Sequence, residues 1–198
     1  MPRDPRDTSA EEPDGGNLQV RFRGGPGSGN RPGLLNIKGK VFKYGDDVNT
    51  DVIFPGKYTY TISDPKEMAQ HALEDLDAEF IHQVRPGDVV VAGRNFGCGS
   101  SREQAAVCLR EAGVGAIVAR SFARIFFRNA INAGLPVLVC SEAVDAVSAG
   151  DEVQVDLSTG TLQFGEQRFS FPALPEEVRG ILEAGGLIPY TRARLARS

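Results

Sequence analysis

The chain has 198 residues, a net charge of −4 and a charged fraction of 24%. That suits one domain with a single core, and it offers no basic surface for nucleic acid or an anionic membrane. No apolar run approaches the ~20 residues of a membrane span and the N-terminus has no hydrophobic signal region, so the expected location is the cytoplasm. Three cysteines (Cys98, Cys108, Cys140) without C-x-x-C spacing and two histidines (His71, His82) make neither a disulfide framework nor a metal centre by themselves.

Residues 1–36 hold seven of the 23 glycines and five of the 12 prolines. With almost no apolar side chains to bury, they are expected to be a disordered extension ahead of one folded unit at 37–198. Residues 38–44 predict a strand. A turn rich in Asp and Asn follows at 45–51, then apolar Val52, Ile53 and Phe54, ended by Pro55 and Gly56. Residues 57–63 lack helix formers and predict an extended loop or short strand. Asp64 as cap, Pro65 at the first position and Glu67 in the first turn predict a helix to about Leu76. A second helical pattern covers 78–84.

The apolar run 89–92 predicts a buried strand, and 104–112 predicts a helix beyond a glycine-rich turn. Residues 116–119 read as another buried strand. Ser121 is expected to cap a helix at 122–133 that Gly134 ends, with Phe122, Ile125, Phe126 and Ala130 as its core face. Arg120, Arg124 and Arg128 recur every four residues and predict a basic ridge, read as a solvated face. With a further buried strand at 136–140, the two β–α–β passes argue for a mostly parallel core sheet in an α/β fold. The last third predicts an antiparallel hairpin or meander (153–157, 161–164, 168–171), a final helix at 174–184, and a short basic tail after Gly185 and Gly186.

The turn at 93–103, GRNFGCGSSRE, carries the most chemistry. Strand, glycine turn and helix together make an anion site: Gly97 and Gly99 permit positive φ and close approach of a ligand, and the first N–H groups of the helix point into the turn. Arg94 and Arg102 flank it and suit carboxylates, and Ser100 and Ser101 add hydroxyls. Neither phosphate-loop nor dinucleotide spacing is present. A structural reading competes: Ser100 as helix cap, with Glu103 closing a capping box. The cap would occupy the hydroxyl that a base needs. The turn at 45–51 follows another candidate strand, and at a shared sheet edge it would bring Asp51 to the same place. This set suits a small di- or tricarboxylate, but it lacks a histidine base and needs a metal or residues from a partner.

GDDVNTDVIFPGKY at 45–58, GRNFGCGSSREQA at 93–105 and SFARIFFRNAINAGLP at 121–136 together resemble the small subunits of 3-isopropylmalate dehydratase. This is the aconitase-like family in which the mobile swivel domain is a separate chain. The resemblance spans roughly residues 38–190. It implies the swivelling β/β/α domain and a hydro-lyase of leucine biosynthesis, active as a heterodimer with a large subunit. It implies no cofactor on this chain and a 4Fe–4S cluster on the large subunit, whose unligated iron binds the substrate's carboxylate and hydroxyl. By position, Ser100 matches the serine alkoxide that takes the carbon-bound proton, and Arg102 matches the arginine on a substrate carboxylate. Ser101 matches the second serine, which helps hold substrate and base, and Asp51 matches the active-site aspartate. Gly97 and Gly99 shape the substrate turn. Cys98 stands where aconitase proper has an acidic residue, a departure shared by isopropylmalate isomerases.

In this family the loop after Pro-Gly-Lys-Tyr reads the group that distinguishes substrates. Here Tyr58, Thr59 and Tyr60 begin it, and no arginine lies between Lys57 and Arg85. An isopropyl group is therefore favoured over a third carboxylate. A homoaconitase remains the alternative through Lys57, and a stand-alone carboxylate-binding module is the reading from another class.

Overall fold

The computed structural model describes residues 35–196. The extension expected at 1–36 thus lies almost entirely outside the described residues. Asn36, assigned to it, already belongs to the first strand.

β1 (Asn36–Lys43), β2 (Val89–Ala92), β3 (Ala116–Ala119) and β4 (Val137–Val139) form the parallel part of a seven-stranded sheet. β5 (Glu152–Asp156), β6 (Thr161–Phe164) and β7 (Gln167–Ser170) form an antiparallel meander. The order is β4-β3-β2-β1-β5-β6-β7. Every residue of β2 and β3 is buried, as expected of parallel strands covered on both sides. β5 alternates between exposed and buried residues, with Val153 and Val155 inward.

β1 is the seam between the two halves. Residues 36–40 pair with β5 antiparallel, and 41–43 pair with β2 parallel. Where the partner changes, the buried carboxylate of Asp88 takes over: Oδ1 accepts from Lys40 N at 2.8 Å and Oδ2 from Arg85 N at 2.7 Å. Backbone donors that the switch would otherwise orphan are satisfied there.

α4 (Gln104–Glu111) links β2 to β3, and α5 (Arg124–Ala133) links β3 to β4. α4 packs against α1 (Thr50–Ile53), α2 (Pro65–Ala69) and α5. α3 (Phe80–Gln83) and α6 (Ser141–Ala146) are short connectors. α7 (Glu176–Glu183) and α8 (Leu187–Leu195) pack on α5. Arg110 ties them together by donating to Ala133 O and Gly185 O.

Six local expectations are corrected. Residues 57–63 turn rather than extend, starting with a 3-10 turn at Gly56–Tyr58. The helix begun by Asp64 and Pro65 stops at Ala69, because Leu73 turns back at φ 59 and donates its N–H to Ile53 O. Long-range packing of buried Ala72 and Leu73 overrides the helical pattern there. Ser121 does not cap α5, which starts at Arg124 with no side-chain cap; its hydroxyl accepts from Asn95 N instead. Ile125 is 48% exposed rather than core, and Arg120 leaves the ridge to pair with Asp145, leaving Arg124 and Arg128 on α5. The basic tail is the helix α8; Pro189 falls in its first turn, where no N–H is required.

Candidate active site

Because β1 and β2 are parallel neighbours, the loops leaving their C-terminal ends meet at one sheet edge. The ladder continues beyond the strands. Gly93 N donates to Gly45 O, Asp47 N to Arg94 O, Gly97 N to Val48 O and Thr50 N to Cys98 O, at 2.7–3.0 Å. Asp46 Oδ1 accepts from Arg94 N at 2.6 Å, and Asn95 Nδ2 donates to Asp47 Oδ1 at 2.8 Å. The loop after β3 joins them: Phe96 N donates to Ser121 O, and Ala123 N to Phe96 O.

This framework holds Ser100 and Ser101 by their backbones. Thr50 Oγ1 donates to Ser100 O at 3.1 Å from α1, and Asn129 Nδ2 donates to Ser101 O at 3.2 Å from α5. Both serines are exposed. Among the described residues neither hydroxyl is engaged, and the backbone N–H groups of residues 99–103 make no hydrogen bond. The capping-box expectation fails: α4 starts at Gln104 behind Glu103, and no side chain caps it. A run of open N–H groups at a helix start is a cradle for an anion.

Asp51, exposed, forms an ion pair with half-buried Arg102. α1 presents Asp51 because Asn49 Oδ1 caps that helix, accepting from Asp51 N and Val52 N. Gly56 closes the other side. A Cβ there would lie 3.2 Å from Arg102 Nη1 and 3.4 Å from Asp51 Oδ1.

The two glycines differ. Gly97 is buried at φ 76; a Cβ would meet Phe126 Cγ at 2.1 Å, and its N–H is used by Val48 O. It seats the turn on α5, and its N–H is committed to the Val48 carbonyl. Gly99, at φ 96 and exposed, stays on the open face.

The three residues expected to read the substrate diverge. The Tyr58 hydroxyl donates to Glu74, and its ring stacks on His71 with centroids 3.8 Å apart. Thr59 Oγ1 is buried without a partner among the described residues. Tyr60 is 97% exposed. Lys57 Nζ lies 2.7 Å from Glu74 Oε1, and His71 Nδ1 lies 2.5 Å from Oε2. The Lys57 ammonium, with His71 and Tyr58, holds the Glu74 carboxyl down at about 2.

Sequence reasoning did not single out Thr50, Asn129, Glu74 or the cap at Asn49. The first two and Asn49 lay inside the quoted motifs, but a side chain that bonds a distant carbonyl leaves no periodic signature.

Burial pushes the Cys98 thiol up, with Asp47 adding to it; its Sγ donates to Asp47 O. Cys108 is fully buried and bonded to Ile53 O and Ala105 O, and Cys140 Sγ donates to Ser170 O. The three thiols serve separate backbone partners, which does not fit a cluster built by this chain. Among the described residues no group of three or more His, Cys, Asp or Glu is placed to hold a metal ion, and no helix is long and apolar enough to cross a membrane.

The family model of the aconitase C-terminal domain matches residues 46–143. The 3-isopropylmalate dehydratase small subunit of Caldicellulosiruptor saccharolyticus is 52% identical over 163 residues, 81% of this chain and 94% of that protein. The one from Clostridium beijerinckii is 51% identical over 81% of this chain and all of its own length. The 2,3-dimethylmalate dehydratase small subunit of Eubacterium barkeri is 50% identical over 80% of this chain and 98% of its own. A crystal structure of 3-isopropylmalate dehydratase (LeuD) from Methanocaldococcus jannaschii superposes with a TM-score of 0.77 at 43% identity, covering 82% of this chain and 96% of that one.

Proposed function

The chain belongs to the family of 3-isopropylmalate dehydratase small subunits, and from that premise we propose that it interconverts 2- and 3-isopropylmalate as a hydro-lyase with a large subunit. The observation that carries the site is the Ser100 hydroxyl, exposed and uncapped beside Arg102 and the open N–H groups of 99–103. Ser100 acts as base and Arg102 binds a substrate carboxylate. Gly99 and Ser101 line the same turn, and Asp51 orients Arg102 through their ion pair.

An unperturbed serine hydroxyl is too weak an acid to ionise at neutral pH. A cation and preorganised N–H dipoles stabilise its alkoxide, more strongly once water is excluded. On this chain the turn is open, so exclusion falls to the partner. The large subunit's 4Fe–4S cluster supplies, when bound, a Lewis acid for the substrate's hydroxyl and carboxylate. The alkoxide takes the carbon-bound proton as the neighbouring carbon loses its hydroxyl as hydroxide, leaving the alkene; Ser100 holds the proton and returns it to the carbon that bore the hydroxyl as hydroxide adds to the other, which moves the hydroxyl by one carbon.

The relatives' names support an alkyl-bearing substrate, since isopropylmalate and dimethylmalate both carry only alkyl additions to malate. The curated relatives are covered nearly end to end by about four-fifths of this chain. That supports a family domain from about residue 37, with the preceding residues as an extension outside it. A cytoplasmic location accords with leucine biosynthesis.

The test is anaerobic assembly with the cluster-bearing large subunit. The complex is expected to isomerise isopropylmalate and the isolated chain to do nothing. Turnover by the isolated chain, or none by the complex, overturns the reading.

A further inference from the structure

The loop beside the site carries a cation that the reaction does not use. Gly56 packs against Arg102 and Asp51, and Lys57 is the next residue. A free ammonium there would add a second positive charge next to Arg102 and favour a substrate with an extra carboxylate. In the structure Lys57 is turned onto Glu74 at 2.7 Å.

We propose that Glu74 is a specificity-determining positioning residue: by holding Lys57 and Tyr58 and cancelling the Lys57 charge, it tunes the site to malates with an uncharged branch and against those with a third carboxylate. The proposal rests on the isomerase reading above and deepens it.

Four contacts converge on this one carboxylate. Oε1 takes Lys57 Nζ and, at 3.1 Å, the Tyr58 hydroxyl; Oε2 takes His71 Nδ1 and, at 3.2 Å, the same hydroxyl. His71 stacks on the Tyr58 ring, and Lys57 Nζ lies over that ring 4.8 Å from its centroid. The backbone places Glu74 deliberately: Leu73 reverses at φ 59 and donates to Ile53 O in α1, the helix that carries Asp51. Glu74 is therefore registered to the same helix as the site.

A lone Lys57–Glu74 pair, with side chains 57% and 30% exposed, would open readily for a better anion. Here the carboxylate stays when the lysine leaves, because Tyr58 and His71 also hold it. An incoming third carboxylate then meets Glu74 as well as Lys57, and the attraction is offset. An arginine at this place would act differently, since its fork could serve both anions.

The experiment uses the assembled two-subunit enzyme and reads the ratio of kcat/KM for homoaconitate to that for isopropylmalate. Glu74→Gln keeps the size and one acceptor for the Tyr58 hydroxyl while removing the charge. It is expected to raise the ratio on the order of five- to tenfold, as an uncompensated ammonium near Arg102 would. Lys57→Met is expected to lower it, and the double variant to return it towards wild type. A purely structural role would lower both activities together and leave the ratio unmoved. An unchanged ratio in Glu74→Gln, or a double variant no different from Glu74→Gln, overturns the proposal while wild-type turnover of isopropylmalate leaves the isomerase reading intact. If Glu74→Gln does not assemble, the Lys57→Met ratio decides alone, a rise or no change counting against the proposal. Failure of wild type on both substrates would sink the isomerase reading and this proposal with it.

Discussion

Ser100 lies four residues before α4 in a sequence that reads as a capping box, yet its hydroxyl does not cap. The helix starts three residues later than that pattern suggests, behind Glu103. What fixes the serine is its carbonyl, held by Thr50, and the side chain is left exposed. This separation has a thermodynamic signature. Loss of an N-cap costs about 1 kcal/mol, whereas an exposed, unpartnered side chain costs within about 0.5 kcal/mol. Ser100→Ala is therefore expected to leave the denaturation midpoint of the chain essentially unchanged. A loss near the cap value would restore the structural role.

At the scale of elements, two carboxylates organise the chain, and each makes a prediction. Asp88 closes the point where β1 changes partners, so Asp88→Ala would strand the Lys40 and Arg85 N–H groups. The expected cost is about 2–4 kcal/mol, read by chemical denaturation, with Asp88→Asn losing less because one acceptor remains. Glu74 titrates at about 2 in the fold against an ordinary 4.5. A depressed carboxyl contributes stability above its unfolded value, and that contribution is lost as pH falls from about 4.5 towards 2. The melting temperature should thus fall less steeply across that window in Glu74→Gln than in wild type; equal slopes would contradict the assignment.

The same elements show what the sequence carried and what it hid. Strands β2 and β3 were legible because runs such as Val89–Ala92 are apolar throughout, and the meander because it alternates. The glycine turn and Asp51 were legible as motifs, and parallel pairing of β1 with β2 brings them together. The break after Ala69 was hidden, since only the packing of Leu73 on α1 imposes it. α8 was hidden because Gly185 and Gly186 read as a stop, although they form a turn onto α5 from which a second helix starts. The need for glycine at 97 was legible from the motif, but its packing on Phe126 was not.

For the whole molecule, Ser100, Ser101 and Asp51 lie open where the loops after β1 and β2 meet, held from below by backbone bonds to buried Val48 and Phe96 and by the buried Thr50 side chain. Under the proposed reading Ser100 is a base that must lose its water shell, and from so exposed a turn that needs a second chain to close over it. Ser100's role is decided by steady-state turnover of isopropylmalate by the two-subunit enzyme carrying Ser100→Ala. With Ser100 as the proposed base and Arg102 as the proposed carboxylate ligand, kcat is expected to fall on the order of a thousandfold while KM changes only a few-fold. A kcat within a few-fold of wild type would show that the carbon-bound proton goes elsewhere, and Ser100 would lose its role as base.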